Sequence, residues 1–262
     1  MKICEILFVL LYNDNQGSEN MKDLMTYETR KIEGYELDYM QEYQLCHLFN
    51  CFSKIATLNA KKIGYYDDSM RGQYGWVVAK QSLHLDRPLT IFDELELSTI
   101  VGKNSFVAYP RYYYVHSDSK QVGYCSSVWT LIDIKSRRIT SPKKIGLPEL
   151  EINHDMSLPA PKNIVIDVDM NFICQRTVFY SDVDTNVHMN NTRYIQWALD
   201  LIDFNIHKTH FVSDLNVQYK KEIRPLENVF LYLGYKDNRY IIEGKSQLDE
   251  VYFTIEITFR ER

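Results

Sequence analysis

Between residues 41 and 64 apolar side chains recur at helical spacing: Leu45, Leu48, Phe49, Phe52, Ile55, Ala56, Ala60 and Ile63. That period predicts one amphipathic helix with a core-facing stripe, stopped by Gly64. Downstream, runs at 76–78, 83–85, 95–100, 105–116 and 123–134 predict strands, separated by turns at Asp86-Arg87-Pro88, Gly102-Lys103-Asn104 and Ser117-Asp118-Ser119. The stretch 136–163 contains Pro142, Pro148, Pro159 and Pro161 and loses periodicity, so it reads as a linker. The plan then restarts with a strand at 172–180, a polar loop, a helix at 191–204, and strands at 212–219, 229–235, 240–246 and 251–259.

The two halves can be overlaid. An offset of 134 places Leu83-His84-Leu85 on Val217-Gln218-Tyr219 and Leu95-Glu96-Leu97 on Val229-Phe230-Leu231. Two copies at so long a period indicate a duplicated domain, since solenoid repeats are shorter and more numerous. The expected class is α+β, each half a long helix wrapped by an antiparallel sheet. The expected division is an N-terminal extension at 1–24, a first domain at 25–143, a linker at 144–165 and a second domain at 166–262.

Composition narrows the function. Twenty Tyr and twelve Phe against ten Gly favour aromatic-faced strands over a glycine-dependent nucleotide loop. A net charge of −5 offers no general attraction for nucleic acid or an anionic membrane. Cys4, Cys46, Cys51, Cys125 and Cys174 form no CxxC pair, which argues against a disulfide framework or a zinc site and fits a reducing, cytoplasmic setting. The apolar run at 3–12 is interrupted by Glu5, lacks a small-residue cleavage site and is too short to span a bilayer, so neither a signal peptide nor a membrane span is expected.

Candidate chemistry concentrates ahead of the second helix, in Asp184-Thr185-Asn186-Val187-His188-Met189-Asn190-Asn191. In an extended loop Asp184, Asn186 and His188 would project to one side, presenting a carboxylate, an amide and an imidazole together. Asn190 or Asn191 would cap the helix, whose free N–H groups favour developing negative charge. An ordinary Asx turn with a surface histidine explains the same residues. Against that, the helix behind them carries Tyr194, Trp197, Ala198 and Leu201, an apolar face that would anchor the loop on a core.

The run from Asp184 to Asn191, continuing through Tyr194-Ile195-Gln196-Trp197, resembles the signature of the acyl-acyl-carrier-protein thioesterases, a tandem hotdog family. Tyr219-Lys220-Lys221-Glu222, 34 residues after His188, is similar to the family's second signature. Trp76-Val77-Val78, Asp86-Arg87-Pro88 and Ser127 to Asp133 followed by Arg137-Arg138 extend the resemblance over roughly 25–262. Two positions depart: Val187 stands where Gly or Gln is usual, and Ile223 where many plant members carry Cys, which disfavours a thiol nucleophile. Cys174, on the preceding strand, reads as a small core hydrophobe.

The resemblance implies hydrolysis of fatty acyl-acyl carrier protein without a cofactor or metal, Asp184, Asn186, His188 and Glu222 being the catalytic set. Glu222 is the candidate base, and the first half supplies the acyl pocket, with Trp76 as a candidate lining residue. Under the offset Glu222 falls opposite Pro88, and no Asp-x-Asn-x-His precedes the first helix, so one half is armed. Basic side chains at Lys135, Arg137, Arg138, Lys143, Lys144, Lys220, Lys221 and Arg224 could meet an acidic carrier. Hydrolysis of coenzyme A esters, dehydration of a 3-hydroxyacyl substrate, and acyl binding without turnover are the alternatives. A carboxylate nucleophile and association into a homodimer are left open.

Overall fold

A computed structural model describes residues 24–152, 154 and 156–262. The run at 3–12, Cys4 and almost all of the expected extension lie outside the described residues. The first half comprises β1 (Met25–Lys31), α1 (Leu45–Lys62), β2 (Tyr74–Leu85), β3 (Glu94–Val101), β4 (Tyr109–Ser117), β5 (Lys120–Asp133) and the two-residue β6 (Arg138–Ile139). The second comprises β7 (Asn171–Thr177), α2 (Asn191–Leu199), α3 (Phe204–Thr209), β8 (His210–Tyr219), β9 (Asn228–Lys236), β10 (Arg239–Lys245) and β11 (Val251–Glu261).

All strands join one antiparallel sheet in the order β1-β3-β4-β5-β2-β8-β11-β10-β9-β7, with β6 against β5. The order of the first half is repeated in reverse beyond the β2·β8 junction. There Lys80 faces Gln218, Ser82 faces Asn216 and His84 faces Asp214. Adding 134 to 80 and 84 gives 214 and 218, so the pairing maps onto itself about Ser82–Asn216. The halves therefore meet across a pseudo-dyad at the offset read from the sequence, and the architecture is the tandem hotdog.

The amphipathic stripes explain the packing. Leu48, Phe49, Phe52 and Ile55 of α1 and Tyr194, Ile195, Trp197 and Ala198 of α2 are buried in one core with Leu83, Leu215 and Val217 from the two junction strands. The helices also pack on each other. Burying side chains of this size contributes about 1.5–3 kcal/mol each before chain entropy is set against it. Cys174 is half-buried against the same core.

Several boundaries differ from the sequence pattern for local reasons. The runs at 76–78 and 83–85 belong to one strand, β2, interrupted by a bulge between Val78 and Lys80. The helix expected over 191–204 ends at Leu199, and Asp203 caps the separate α3 by accepting from the Asn205 N–H at 2.7 Å. The run at 105–116 opens with a tight turn, Phe106 having φ 52°, before β4 begins. The proline-rich stretch is a packed strap: Ser126 Oγ donates to the Pro159 carbonyl at 2.7 Å, and Leu150 and Ile152 pack against the cluster of Ile63, Tyr65 and Val101. Edge strand β1 carries too few apolar side chains to announce itself.

Candidate active site

The loop leading into α2 is a closed turn, which corrects the extended loop expected from alternation. The Asp184 N–H donates to the His188 carbonyl at 2.9 Å, and the Val187 N–H donates to the Asp184 carbonyl at 3.1 Å. The carboxylate of Asp184 makes an Asx turn, Oδ1 accepting from the Asn186 N–H at 2.8 Å, while Oδ2 lies 3.5 Å from the Asn186 amide nitrogen. Closing the turn puts Val187 at φ 62°, a left-handed conformation costly for a β-branched side chain. Asn186 ends up exposed at the tip, with Asp184 and His188 half-buried behind it. Asn190 is the N-cap of α2, its Oδ1 accepting from the Thr192 N–H and hydroxyl at 2.9 Å each.

One backbone bond brings the two sequence signatures together. The N–H of buried Met189 donates to the carbonyl of buried Ile223 at 2.8 Å. Their neighbours His188 and Glu222 are thereby placed side by side, with His188 Nε2 3.2 Å from Glu222 Oε2. Tyr219, at the end of β8, braces the arrangement: its hydroxyl lies 3.1 Å from Gln81 Oε1 across the junction and 3.3 Å from the Asn191 carbonyl. Its ring packs edge-on against Tyr194, and burial pushes both phenols well above their usual range, so they serve as neutral packing.

Arg137 is the residue that sequence reading assigned elsewhere. It projects from the turn between β5 and β6, and Nη1 donates to Glu222 Oε2 at 2.5 Å while Nη2 lies 3.5 Å from His188 Nε2. The pattern Arg137-Arg138 was visible, but a contact spanning 85 residues and both halves had no local signal. Trp76 lies in an aromatic cluster, stacked on Tyr65, edge-on to Tyr109, and donating from Nε1 to the Tyr65 carbonyl at 2.7 Å. Its ring and hydrogen-bond partners are Tyr65 and Tyr109, apart from Asp184, Asn186, His188 and Glu222.

The loop ahead of α1 repeats this backbone at an offset of 146. Asp38 N–H donates to the Glu42 carbonyl at 2.8 Å, Gln41 N–H to the Asp38 carbonyl at 3.0 Å, and Asp38 Oδ1 accepts from the Met40 N–H at 2.8 Å. Gln41 has φ 62°, and the Tyr43 N–H donates to the Leu89 carbonyl at 2.7 Å as Met189 does to Ile223. Met40, Glu42 and Pro88 thus stand where the second half has Asn186, His188 and Glu222. A half-open cavity of about 330 Å³ lies here, lined in part by Asp38, Glu42, Pro88 and Arg262.

A sheet of this topology with a carboxylate–histidine pair beside a capped helix defines a tandem hotdog protein with one chemically equipped half. Comparison with known proteins makes the assignment specific. Residues 23–146 match the model of the acyl-ACP thioesterase N-terminal domain and residues 166–260 that of the C-terminal domain. The chain belongs to the acyl-ACP thioesterase family. It is 25% identical over 198 residues to a chloroplastic palmitoyl-acyl carrier protein thioesterase of Cuphea hookeriana, covering 71% of this chain and 46% of that one. It is 20% identical over 234 residues to a chloroplastic dodecanoyl-[acyl-carrier-protein] hydrolase of Umbellularia californica, covering 81% and 59%. The chain thus spans about half the length of the curated relatives it matches. In fold it superposes on an acyl-ACP thioesterase from Bacteroides thetaiotaomicron with a TM-score of 0.83 at 22% identity, covering 92% and 99% of the two chains. The 12:0-ACP thioesterase from Umbellularia californica gives 0.73 at 18%, covering 91% and 98%.

Proposed function

We propose that the chain hydrolyses the thioester of fatty acyl-acyl carrier protein, releasing free fatty acid and the carrier thiol. The observation that carries this reading is the state of Glu222. Its Oε2 faces both His188 Nε2 and Arg137 Nη1, while Oε1 has no partner among the described residues. A carboxylate with one oxygen held and the other free can take a proton from water. General-base help of this kind is worth about 10²–10⁴ in rate.

In the proposed step Oε1 accepts a proton as the water oxygen bonds to the thioester carbonyl carbon. The carbonyl oxygen becomes an oxyanion, stabilised by the Asn186 amide and the positive N-terminal end of the α2 dipole. Collapse breaks the C–S bond, and the proton returns from Glu222 to the departing thiolate, with His188 steadying the carboxyl. Asp184 holds the turn that presents Asn186. No metal or cofactor takes part.

This reading keeps a division at 25–143, 144–165 and 166–262, the first domain supplying the acyl pocket, with Trp76 on its wall, and the last the chemistry. Among the described residues no helix is long and apolar enough to cross a membrane. The reaction is assigned to a reducing, cytoplasmic setting, because the scattered cysteines offer no disulfide framework.

The test is thiol and fatty-acid release from one acyl chain carried by acyl carrier protein or by coenzyme A. Faster turnover on the protein carrier is expected, with loss of both activities in Glu222→Ala and His188→Ala. Unchanged hydrolysis in either folded variant overturns the assignment, and preference for coenzyme A replaces the carrier. A series of acyl lengths then defines the pocket.

A further inference from the structure

We propose that Arg137 is a positioning residue for the hydrolytic step, holding Glu222 from the opposite half of the molecule; this rests on Glu222 being the base. The backbone that carries the arginine is fixed. It occupies a left-handed turn position, φ 57°, and the turn is tied by Asp133 Oδ1, which accepts from the Ser136 N–H at 2.7 Å and hydroxyl at 2.9 Å. Pairing of Arg138 with Asp133 and of Ile139 with Ile132 closes the hairpin behind it.

Glu222 needs such a holder. It follows the end of β8, and its side chain is 40% exposed, so several staggered rotamers are sterically open to it. A guanidinium is a planar cation with donors in fixed directions, suited to restricting a carboxylate. Nη1 at 2.5 Å and His188 Nε2 at 3.2 Å converge on the same oxygen, Oε2. The His188 tautomer with hydrogen on Nε2 satisfies this geometry, the 3.5 Å Arg137–His188 approach being a contact between donors. Oε1 is then left without a partner among the described residues. The active carboxylate belongs to the second half and its clamp to the first, which makes the single site a product of both halves.

The alternative role for an exposed arginine beside the site is to grip the incoming carrier. The two roles separate kinetically, since a positioning group acts on the bound complex and a docking group on its formation. Steady-state hydrolysis of a long-chain acyl carrier protein thioester is measured for wild type, Arg137→Ala, Arg137→Lys, Glu222→Ala and the Arg137→Ala/Glu222→Ala pair. Thermal melting of each confirms the fold. Arg137→Ala is expected to lower kcat roughly 10- to 100-fold with KM within about twofold, the cost of a misplaced catalytic group. Lysine restores part of the loss, and Arg137→Ala adds nothing in the Glu222→Ala background. A normal kcat in Arg137→Ala, or a loss confined to KM, overturns the proposal while leaving Glu222 in place. An equal further loss in the double variant shows that Arg137 acts independently of Glu222 and overturns it too. Full activity in Glu222→Ala instead removes the underlying reading of the base, so the two failures are distinguishable.

Discussion

The loops ahead of α1 and α2 share a backbone and divide the chemistry unequally. Both close an Asx turn on an aspartate, both place a left-handed residue three positions later, and both pin the turn to the segment after the junction strand. Asp38 is retained where Met40 and Glu42, with Pro88 from the segment after β2, stand in place of an amide, an imidazole and a carboxylate. An aspartate kept where neither an amide nor an imidazole stands at the matching positions serves the turn, its Oδ1 accepting from the Met40 and Glu42 N–H groups. By the same geometry Asp184 shapes the loop, which leaves the chemistry of the proposed reaction to Asn186, His188 and Glu222. Each site also receives an arginine from the other half: Arg137 meets Glu222, whereas Arg262 forms an ion pair with Glu42, which stands at the histidine position. At the first site that pair joins an acid and a base with no imidazole between them.

The comparison breaks most sharply at Glu222. Glu222→Gln keeps the shape and hydrogen-bonding capacity of the side chain but removes the base, so hydrolysis should fall by about 10²–10⁴ with little change in melting temperature. Turnover assays with circular dichroism melting check both. Loss smaller than tenfold would mean that Oε1 does not take the proton.

A smaller effect separates shaping from chemistry at Asp184. Asparagine can still accept from the Asn186 N–H and keep the Asx turn; alanine cannot. Asp184→Asn should retain kcat within roughly fivefold, and Asp184→Ala should lose tenfold or more, since small displacements of reacting groups are costly. Equal, severe losses in both would show that the carboxylate charge itself is needed. The matched change Asp38→Ala should leave kcat unaltered and cost about 1–2 kcal/mol of stability, the scale of the two turn hydrogen bonds its Oδ1 accepts from the Met40 and Glu42 N–H groups.

How much of this was readable from sequence depends on the range of each interaction. The duplication offset, the helix cores and the Asp184–His188 cluster were legible because strand period, helix period and motif spacing are local properties. Glu222 was reachable through its own signature, although the bond that carries it to His188, from Met189 to Ile223, leaves no mark in the pattern. The likeness of the two loops stayed hidden because insertions shift the offset from 134 in the junction strands to 146 at the helix starts. Arg137 reads as surface charge until the β5–β6 turn is folded against the other half.

The turn after each junction strand extends the comparison to stability. Asp93 stands 134 residues before Glu227, and both carboxylates accept from backbone at matching positions, the Thr90 N–H at 2.7 Å and the Arg224 N–H at 3.0 Å. Asp93 is far more enclosed. Burial pushes its carboxyl up, but hydrogen bonds from Arg87, Ser117 and the Thr90 N–H, with the Arg87 charge, outweigh burial and hold it well below the usual carboxylate range. A folded pKa below the unfolded one adds stability that is complete above about pH 5 and lost as pH falls through the unfolded value near 3.9 and below. Asp93→Asn should therefore cost about 1–3 kcal/mol at neutral pH, and the gap from wild type should narrow in acid. Urea unfolding at several pH values measures it; a gap that stays constant down to pH 3 would refute the ion-pair account.

The smallest expected effect sits at the left-handed position itself. Val187 and Gln41 have the same φ of 62°, but the branched Val187 side chain crowds the backbone there and the unbranched Gln41 does so less. Glycine relieves that crowding while giving the unfolded chain more freedom, two effects of opposite sign. For Val187→Gly the relief dominates, with a net gain of roughly 0.5 kcal/mol; for Gln41→Gly the two nearly cancel. The position flanks Asn186, so the same variant reports on function: a turn already closed by Asp184 should keep its kcat when the strain is removed. A fall in kcat alongside a rise in stability would instead mean that the strained valine presses Asn186 into its working orientation.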